Sequence, residues 1–207
     1  MQKLTLIAIA GPTASGKSTL ASRLAKALGK RKAAIISQDN YYKDYSYLSL
    51  KQRKQINFDR FSAFDIALLC RHLARLKKGK PIDMPLYDFI QSKRLKKTKK
   101  VIPSPYVIVE GLMPFFSRCL GQLFDYKIYI LAPHWLCLSR RITRDIKKRG
   151  ETISSVCKRY FEDVLPMQRR YVQPQQSLAD IVVDGVRAFD KRLVAALLKN
   201  ARASHKI

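Results

Sequence analysis

Short apolar runs recur along the chain, and longer segments of mixed apolar and polar residues separate them. The runs lie at 4–10, 33–36, 107–109, 128–131 and 181–183. Each run is long enough for a buried strand, and each interval is long enough for a crossover helix. The pattern therefore predicts an α/β fold of three layers, in which helices cover a mainly parallel five-stranded sheet.

Helical spacing of apolar residues marks the intervals between these runs. A first helix is predicted after the first strand, with one apolar face formed by Leu20, Leu24, Ala27 and Leu28. Further amphipathic helices are predicted at 63–78, 136–149, 154–170 and 190–200.

Residues 81–105 depart from this order of strands and helices. Two short polar-apolar alternations flank a basic stretch at 93–97, which predicts a β-hairpin inserted on the parallel sheet. We find no internal repeat and no low-complexity linker. We therefore expect one domain over 1–200, with a helical lid region at 134–171 and a frayed tail at 201–207.

Composition restricts the class of protein. Of 207 residues, 47% are hydrophobic, which is enough for a substantial core. No apolar run approaches the roughly 18 residues of a membrane span, and the run at 4–10 is too short for a secretory signal. We therefore expect a cytoplasmic protein with no membrane partner. The cysteines lie among apolar residues without close pair spacing, which indicates core packing rather than a zinc site or a disulfide framework; they are Cys70, Cys119, Cys137 and Cys157.

The charge balance is strongly basic. Lys and Arg number 41 against 15 Asp and Glu, which gives a formal net charge of +26. This excludes an acidic disordered protein, and it creates a field that attracts polyanions and ATP. The basic clusters are spread along the chain, and no RNA-recognition signature accompanies them. A solvated basic surface is favoured, and a nucleic-acid site stays an open alternative.

A glycine-rich motif follows the first predicted strand. Residues 11–18, Gly-Pro-Thr-Ala-Ser-Gly-Lys-Ser, match G-x-x-x-x-G-K-[ST] in full and open the first predicted helix. In such a phosphate loop, backbone N–H groups hold the β-phosphate of a nucleotide, the lysine bridges the β- and γ-phosphates, and the last hydroxyl binds Mg²⁺. The sequence therefore predicts a P-loop NTPase fold, with Lys17 and Ser18 in these roles.

Two of the scarce acidic residues lie at predicted strand ends. Asp39 follows the second strand and Glu110 ends the third, and ligands of such sheets bind at the carboxyl ends of strands. One carboxylate can take the proton of an acceptor hydroxyl, and the other can organise a magnesium shell. For either residue the alternative is a turn or a helix cap. On the helix at 136–149, Arg141 and Arg144 share a face and can neutralise charge on a transferred phosphoryl group.

Further segments make the chain resemble the uridine kinase (uridine–cytidine kinase) family, within the wider group that includes phosphoribulokinase. They are 37–42 (Ser-Gln-Asp-Asn-Tyr-Tyr), 57–59 (Asn-Phe-Asp), 85–89 (Pro-Leu-Tyr-Asp-Phe), 109–111 (Val-Glu-Gly) and 140–145 (Arg-Arg-Ile-Thr-Arg-Asp). The resemblance extends from Leu6 to about Val183. It implies phosphorylation of the 5′-hydroxyl of uridine or cytidine in pyrimidine salvage, with ATP or GTP as donor, Mg²⁺ as cofactor and a homo-oligomeric enzyme.

The resemblance also implies roles for individual residues. Asp39 is the implied general base, with Lys17 and Arg144 as further catalytic residues. The implied ATP-binding set is Gly11, Thr13, Ala14, Ser15, Gly16, Lys17, Ser18, Thr19, Arg144 and Arg149. The implied acceptor-binding set is Tyr42, Asp59, Tyr87, Phe89, Arg141 and Arg159, in which Asp59 and Arg141 hold the ribose hydroxyls and the two hairpin aromatics line the base pocket. The expected metal ligands are Ser18, Glu110 and Asp39.

Three positions depart from the family pattern, all at the expected edge of the base. Ser92 stands where the family has His, Glu151 where it has Arg, and Arg159 where it has Gln. A site that hydrogen-bonds one edge discriminates strongly, so such exchanges should change what it accepts. Residues 184–187 also depart from the family's adenine-side loop.

These departures leave alternatives open. Glu151 and Arg159 can form a compensating pair that keeps the pyrimidine pocket competent. Otherwise the acceptor is another hydroxyl compound, such as another nucleoside or a phosphorylated sugar whose anion Arg159 would bind. A nucleotide-dependent protein that binds RNA or another polyanion is a further alternative from a different functional class.

Overall fold

The computed structural model describes residues 4–29, 31–187 and 189–203. Its strands are β1 (Thr5–Ala10), β2 (Ala33–Ser37), β3 (Ile82–Asp88), β4 (Lys93–Val101), β5 (Tyr106–Glu110), β6 (Tyr126–Leu131) and β7 (Ile181–Asp184). Five of them form a parallel sheet in the order β2-β5-β1-β6-β7. The mainly parallel five-stranded sheet predicted from the apolar runs is confirmed.

The helices connect the strands and cover the sheet. They are α1 (Lys17–Leu28), α2 (Leu50–Lys54), α3 (Ile66–Lys77), α4 (Arg118–Gly121), α5 (His134–Arg149), α6 (Ile153–Arg159), α7 (Leu165–Met167) and α8 (Lys191–Ala203). Local signals set their ends: the Asp65 side chain accepts a hydrogen bond from the Leu68 N–H at the start of α3, and Gly150 takes a left-handed conformation after α5.

Side chains of the central strand alternate between two cores. Leu6, Ala8 and Ala10 of β1 belong to one core cluster, and Ile7 and Ile9 belong to the other. The first cluster includes Leu69, Leu73 and Leu76 of α3, and the second includes Leu20 and Leu24 of α1 and Leu197 of α8. Because all of β1 is buried from both sides, its sequence is continuously apolar. The three-layer prediction is confirmed.

The inserted hairpin is β3 paired antiparallel with β4, and the register runs from Ile82 opposite Val101. The basic stretch expected between two alternating segments is itself part of β4, and most of that strand is exposed. The Tyr87 N–H donates to the Asn40 side chain (3.3 Å), and Arg94 donates to the Tyr42 carbonyl (2.6 Å). The hairpin is thereby attached to the segment that follows β2.

Residues 134–178, named here the α5–α7 segment, are less regular than the helix predicted at 154–170. Wider π-helical turns at Tyr160–Val164 and Gln168–Val172 flank α7, and a 3₁₀ segment ends at Leu178. Pro166 has no N–H for a regular helical hydrogen bond, and π turns accommodate such an interruption.

The chain end differs from the expected frayed tail. α8 runs to Ala203, so residues 201–203 are helical, and residues 204–207 lie outside the described residues. Among the described residues, no helix combines the length and the apolar character needed to cross a membrane.

Candidate active site

A cleft of about 690 Å³ lies where the central strands end. β1 leads into the phosphate loop (residues 11–18), β2 leads to Asp39, and β5 ends at Glu110. Side chains from all three places line the cleft. Since the carboxyl ends of parallel strands meet at one edge of the sheet, residues far apart in sequence share this site.

The phosphate loop ends in a turn that requires glycine. Gly16 has a φ of +104°, and a Cβ at this position would lie 2.9 Å from the ring of Phe189. No side chain caps the N-terminus of α1, and the Ser15 hydroxyl is buried without a hydrogen-bond partner in the part of the chain that the structure describes. A helix N-terminus without a side-chain cap, together with the helix dipole, suits an anion at this point.

The Lys17 ammonium lies within the loop. Its Nζ donates to the carbonyl oxygens of Gly11 (3.0 Å) and Pro12 (2.6 Å). Burial lowers the pKa of Lys17, and the charges of Glu110 and Asp39 act in the opposite direction. The cation and both carboxylates therefore interact across the same corner of the cleft.

Glu110 is buried beside oxygen-bearing side chains. Burial raises the pKa of Glu110 and the charge of Asp39 raises it further, whereas Lys17 and hydrogen bonds with Ser37 and Ser18 lower it. Within the described residues, no group of three or more His, Cys, Asp or Glu side chains has the arrangement of a metal site. The protein alone thus offers a few hard oxygen ligands rather than a complete cage.

Asp39 is bordered by an aromatic wall. The Tyr42 hydroxyl lies 3.5 Å from Asp39 Oδ1, a long hydrogen bond. The Tyr42 ring packs against Phe58 and Tyr87, each with centroids 5.1 Å apart, and Tyr87 packs edge-on against Phe89 at 5.4 Å. Burial raises the pKa of Tyr42 well above its usual value, and Asp39 adds to this, so the phenol stays a neutral donor.

A second carboxylate, that of Asp59, also lines the cleft. The Asn57 side chain accepts from the Asp59 N–H (3.0 Å) and donates to Asp163 Oδ1 (2.9 Å), which ties this loop to the α5–α7 segment. Burial raises the pKa of Asp59, Arg141 lowers it, and Asp39 and Asp163 raise it. Hydroxyl donors from a ligand would satisfy these crowded acceptors.

Three arginines of α5 converge on one buried carboxylate, that of Asp145. Arg144 Nε lies 2.8 Å from Oδ1, Arg149 Nη1 lies 3.5 Å from the same oxygen, and Arg141 Nε lies 3.3 Å from Oδ2. Arg141 also donates to Thr13 Oγ1 at 3.2 Å. The arginines are therefore held together at the edge of the phosphate loop.

The positions that depart from the family pattern also line the cleft. Arg159 Nη1 lies 3.8 Å from Glu151 Oε1, and Ser155 donates to the other Glu151 oxygen at 2.7 Å. Ser92 has a positive φ of 47° at the hairpin turn. The arrangement matches the compensating-pair alternative, because the charge of Arg159 already has a partner.

The cleft brings together nearly all of the predicted site residues. Those that line it are Thr13, Ala14, Gly16, Lys17, Ser18, Thr19, Asp39, Tyr42, Asp59, Tyr87, Phe89, Glu110, Arg141, Arg144, Arg149 and Arg159. Gly11 and Ser15 do not line it; they lie behind the loop surface, where a Cβ on Gly11 would lie 2.7 Å from the Ile130 carbonyl oxygen.

Several residues at the site were not predicted. Asp145 could have been found, because it lies four residues from both Arg141 and Arg149, a spacing that pairs opposite charges on a helix. Asn57 and Asp163 meet only through the tertiary fold, and no local signal joins them.

Curated proteins are similar to this chain over most of its length. The chain is 42% identical to the uridine kinase of Borrelia garinii subsp. bavariensis over 191 residues, 91% of this chain and 90% of that protein. It is 38% identical to the uridine kinase of Escherichia fergusonii over 198 residues, 94% of this chain and 92% of that protein.

Solved structures share the fold at lower identity. Phosphoribulokinase from Rhodobacter spheroides superposes with a TM-score of 0.67 at 17% identity, covering 89% of this chain and 71% of that one. D-glycerate 3-kinase from Cryptococcus neoformans var. grubii gives 0.65 at 19% identity, with coverage of 91% and 88%. Residues 6–191 match the Phosphoribulokinase / Uridine kinase family, and the chain therefore belongs to that family.

Proposed function

We propose that this protein is a nucleoside kinase that transfers the γ-phosphoryl group of ATP to the 5′-hydroxyl of uridine or cytidine. The observation that carries the proposal is that Lys17 and Asp39 line one cleft and interact electrostatically there. A cation for the transferred phosphate and a carboxylate for the acceptor hydroxyl thus share one cleft. The names of the relatives supply the substrate class.

The phosphate loop would hold the donor nucleotide. The N-terminus of α1, which no side chain caps, is available to phosphate oxygens. Lys17 would exchange its two loop carbonyls for β- and γ-phosphate oxygens, which are stronger acceptors because they are charged. GTP presents the same phosphates, so the loop alone does not select the base.

Oxygen ligands beside the loop fit Mg²⁺. Ser18, Glu110 and Asp39 offer one hydroxyl and two carboxylates, the hard ligands that this ion takes, and it commonly completes its shell with phosphate oxygens and water. When bound, Mg²⁺ neutralises charge on the phosphates. The raised pKa of Glu110 shows that burial and Asp39 disfavour its anion, and a cation there would relieve both.

The aromatic wall and Asp59 would hold the acceptor. Two vicinal ribose hydroxyls can donate to the Asp59 carboxylate, and the rings of Tyr87 and Phe89 present apolar faces to a flat pyrimidine. With the ribose held in this way, Asp39 accepts the proton of the 5′-hydroxyl as the oxygen attacks phosphorus. The neutral Tyr42 hydroxyl orients the carboxylate.

Arginines of α5 would stabilise the transferred group. Arg144 and Arg149 are partly exposed, so their guanidinium groups can reach phosphate oxygens while Arg141 stays bonded to Thr13. Positive charge that is already oriented lowers the barrier because little reorganisation is needed during transfer.

The proton-accepting role is tested with Asp39→Asn. We expect kcat to fall by about 10²- to 10⁴-fold, while ATP binding changes little because the loop still holds the phosphates. Asp83→Asn, an exposed carboxylate on β3, is the matched control and should retain full activity. Turnover by the Asp39 variant close to that of the control would remove Asp39 from this role.

The acceptor is tested with a screen over ribonucleosides, deoxyribonucleosides and sugar phosphates, with ATP labelled in the γ-phosphate. The Glu151–Arg159 pair favours a neutral acceptor, because an anionic one would have to displace Glu151. We therefore expect uridine and cytidine to turn over and sugar phosphates to be inert. Transfer to a sugar phosphate with uridine inert would instead establish the same-fold kinase with another acceptor.

A further inference from the structure

Cys70 on α3 and Cys119 on α4 lie side by side. Their Sγ atoms are 2.9 Å apart. Even carbon atoms, which are smaller than sulfur, lie about 3.5–4.0 Å apart in van der Waals contact. Both are free thiols, and Cys119 is exposed while Cys70 is partly buried. The expectation that the cysteines fill the core is therefore wrong for Cys119, although Cys137 is buried as expected.

Rigid packing holds the two sulfurs in this position. Leu69 and Leu120, the chain neighbours of the two cysteines, are fully buried in one core cluster together with Leu73. The Ser117 side chain accepts from the Leu120 N–H and caps α4. A disulfide requires the two sulfurs to close from 2.9 Å to about 2.05 Å.

We propose that Cys70 and Cys119 form a modification site at which a small-molecule disulfide of the glutathione class converts the two thiols into an intramolecular disulfide. The inference concerns a pair of thiols between α3 and α4 and is independent of the proposed kinase activity.

The exposed thiol reacts first. As a thiolate, Cys119 attacks one sulfur of the reagent and releases one reagent thiolate, which leaves a mixed disulfide at Cys119. Cys70 then gives its proton to solvent, attacks the Cys119 sulfur and displaces the second reagent thiolate. The protein loses two hydrogen atoms, and the reagent is reduced to two thiols. Burial, together with its contact to Cys119, raises the pKa of Cys70 to about 12, so Cys70 serves as the resolving thiol rather than the first to react.

The Cys70–Cys119 disulfide would raise the thermal stability of the protein without changing its catalytic activity. Neither sulfur lines the cleft, so the reacting groups keep their surroundings. A disulfide here joins α3 to α4 and closes a long loop of the unfolded chain. We expect the oxidised protein to melt about 5–10 °C higher than the reduced protein and to retain its activity.

The test is to incubate the folded, full-length chain with oxidised glutathione and to record intact mass, peptide maps and Tm. We expect the loss of two hydrogen atoms, a linked Cys70–Cys119 peptide, a higher Tm and full reversal by dithiothreitol. The matched control, with Cys137→Ser and Cys157→Ser, should behave in the same way.

Single variants identify the order of the steps. Cys70→Ser should stop at a mixed disulfide on Cys119, and Cys119→Ser should leave Cys70 unmodified under the same conditions. The proposal is overturned by a wild-type protein that keeps glutathione on Cys119, that links Cys137 or Cys157 instead, or that does not react.

Discussion

The three arginines that approach Asp145 differ in how far they can move. Arg141 is buried and also bonded to Thr13, whereas Arg144 and Arg149 are partly exposed. The last two can exchange a carboxylate partner for a phosphate at low cost, since both are oxyanions. Without a bound nucleotide, the Asp145 carboxylate thus holds the three guanidinium groups close to the phosphate loop. It also offsets the electrostatic repulsion between them.

Replacement of Asp145 by Asn should therefore affect both stability and nucleotide use. Burial alone would raise the pKa of Asp145, but the hydrogen bond and charge of Arg144, with Arg149 and Arg141, lower it overall. A lowered carboxyl pKa contributes stability above the usual value, which is lost as pH falls through the folded-state pKa. We expect Asp145→Asn to cost about 2–3 kcal/mol at pH 7 and to reduce kcat/KM for ATP about 10²-fold.

Thermal melts between pH 3 and 8 and steady-state kinetics check this expectation. Glu162→Gln, an exposed residue of the same segment, is the control and should match the wild type in both. An Asp145→Asn protein that loses stability but keeps its kcat/KM for ATP would limit this carboxylate to a structural role.

Glu110 should show the opposite pH dependence. Its pKa is raised, chiefly by burial, so the folded protein disfavours the anion and loses stability as pH rises above the ordinary glutamate value of about 4.3. Glu110→Gln removes this cost and can still accept hydrogen bonds from Ser18 and Ser37. We expect a higher Tm than wild type at pH 7, no difference near pH 4, and weaker Mg²⁺-dependent stabilisation by ATP. A lower Tm at pH 7 would contradict the sign.

At the scale of elements, the ends of β2 and β5 are coupled through Gly111. A Cβ on Gly111 would overlap the Gln38 side chain, whose Oε1 accepts from the Met113 N–H at 2.8 Å. Gln38 immediately precedes Asp39, and Gly111 immediately follows Glu110. The two carboxylates are therefore positioned by one close contact between strand ends.

Gly111→Ala should separate these strand ends. We expect a loss of about 1–3 kcal/mol from overpacking and a larger relative loss in kcat than in ATP affinity, because Asp39 moves while the phosphate loop does not. Gly121→Ala is the matched control: its Cβ would make only an ordinary 3.4 Å contact with the Phe115 carbonyl oxygen. Equal behaviour of the two variants in melts and kinetics would show that the contact at Gly111 has no effect on the site.

Elements with strong local signals could be predicted from the sequence. Continuous apolar runs at 4–10 and 128–131 correspond to β1 and β6. The glycine motif lies between β1 and α1, as predicted. The strand ends then placed Asp39 and Glu110 in one cleft, since parallel strands end at the same edge. The positions of these two carboxylates follow from the parallel topology of the sheet and do not depend on side-chain packing.

Other features depend on contacts between distant segments. α2 and α4 are too short to show a hydrophobic period, and the π turns around α7 follow from the packing of a segment that contains Pro166. The hydrogen bond from Asn57 to Asp163 and the contact between Cys70 and Cys119 join residues far apart in sequence. No local pattern encodes such pairs.

On the scale of the whole molecule, the net charge of +26 is shared between the cleft and the exposed surface. Basic side chains that line the cleft are twice as numerous as acidic ones; the basic set is Lys17, Arg23, Lys54, Arg140, Arg141, Arg144, Lys148, Arg149, Arg159 and Arg187. Much of the remaining charge lies on exposed surfaces such as β4. The cleft therefore lies within a broad positive field, which draws in ATP and would also draw in any polyanion.

Salt dependence separates capture of ATP from binding of a nucleic acid. Raising NaCl from 50 to 500 mM screens the field, and we expect kcat/KM for ATP to fall about tenfold while kcat and the KM for uridine change little. The uncharged acceptor is the internal control, because it gains nothing from the field.

For the polyanion alternative, RNA binding must survive Lys17→Ala and persist at physiological salt. We expect RNA to dissociate at physiological salt, because the basic clusters of the sequence are not accompanied by an RNA-recognition signature. Retained RNA binding with ATP capture insensitive to salt would reverse this assignment and make the basic surface a nucleic-acid site.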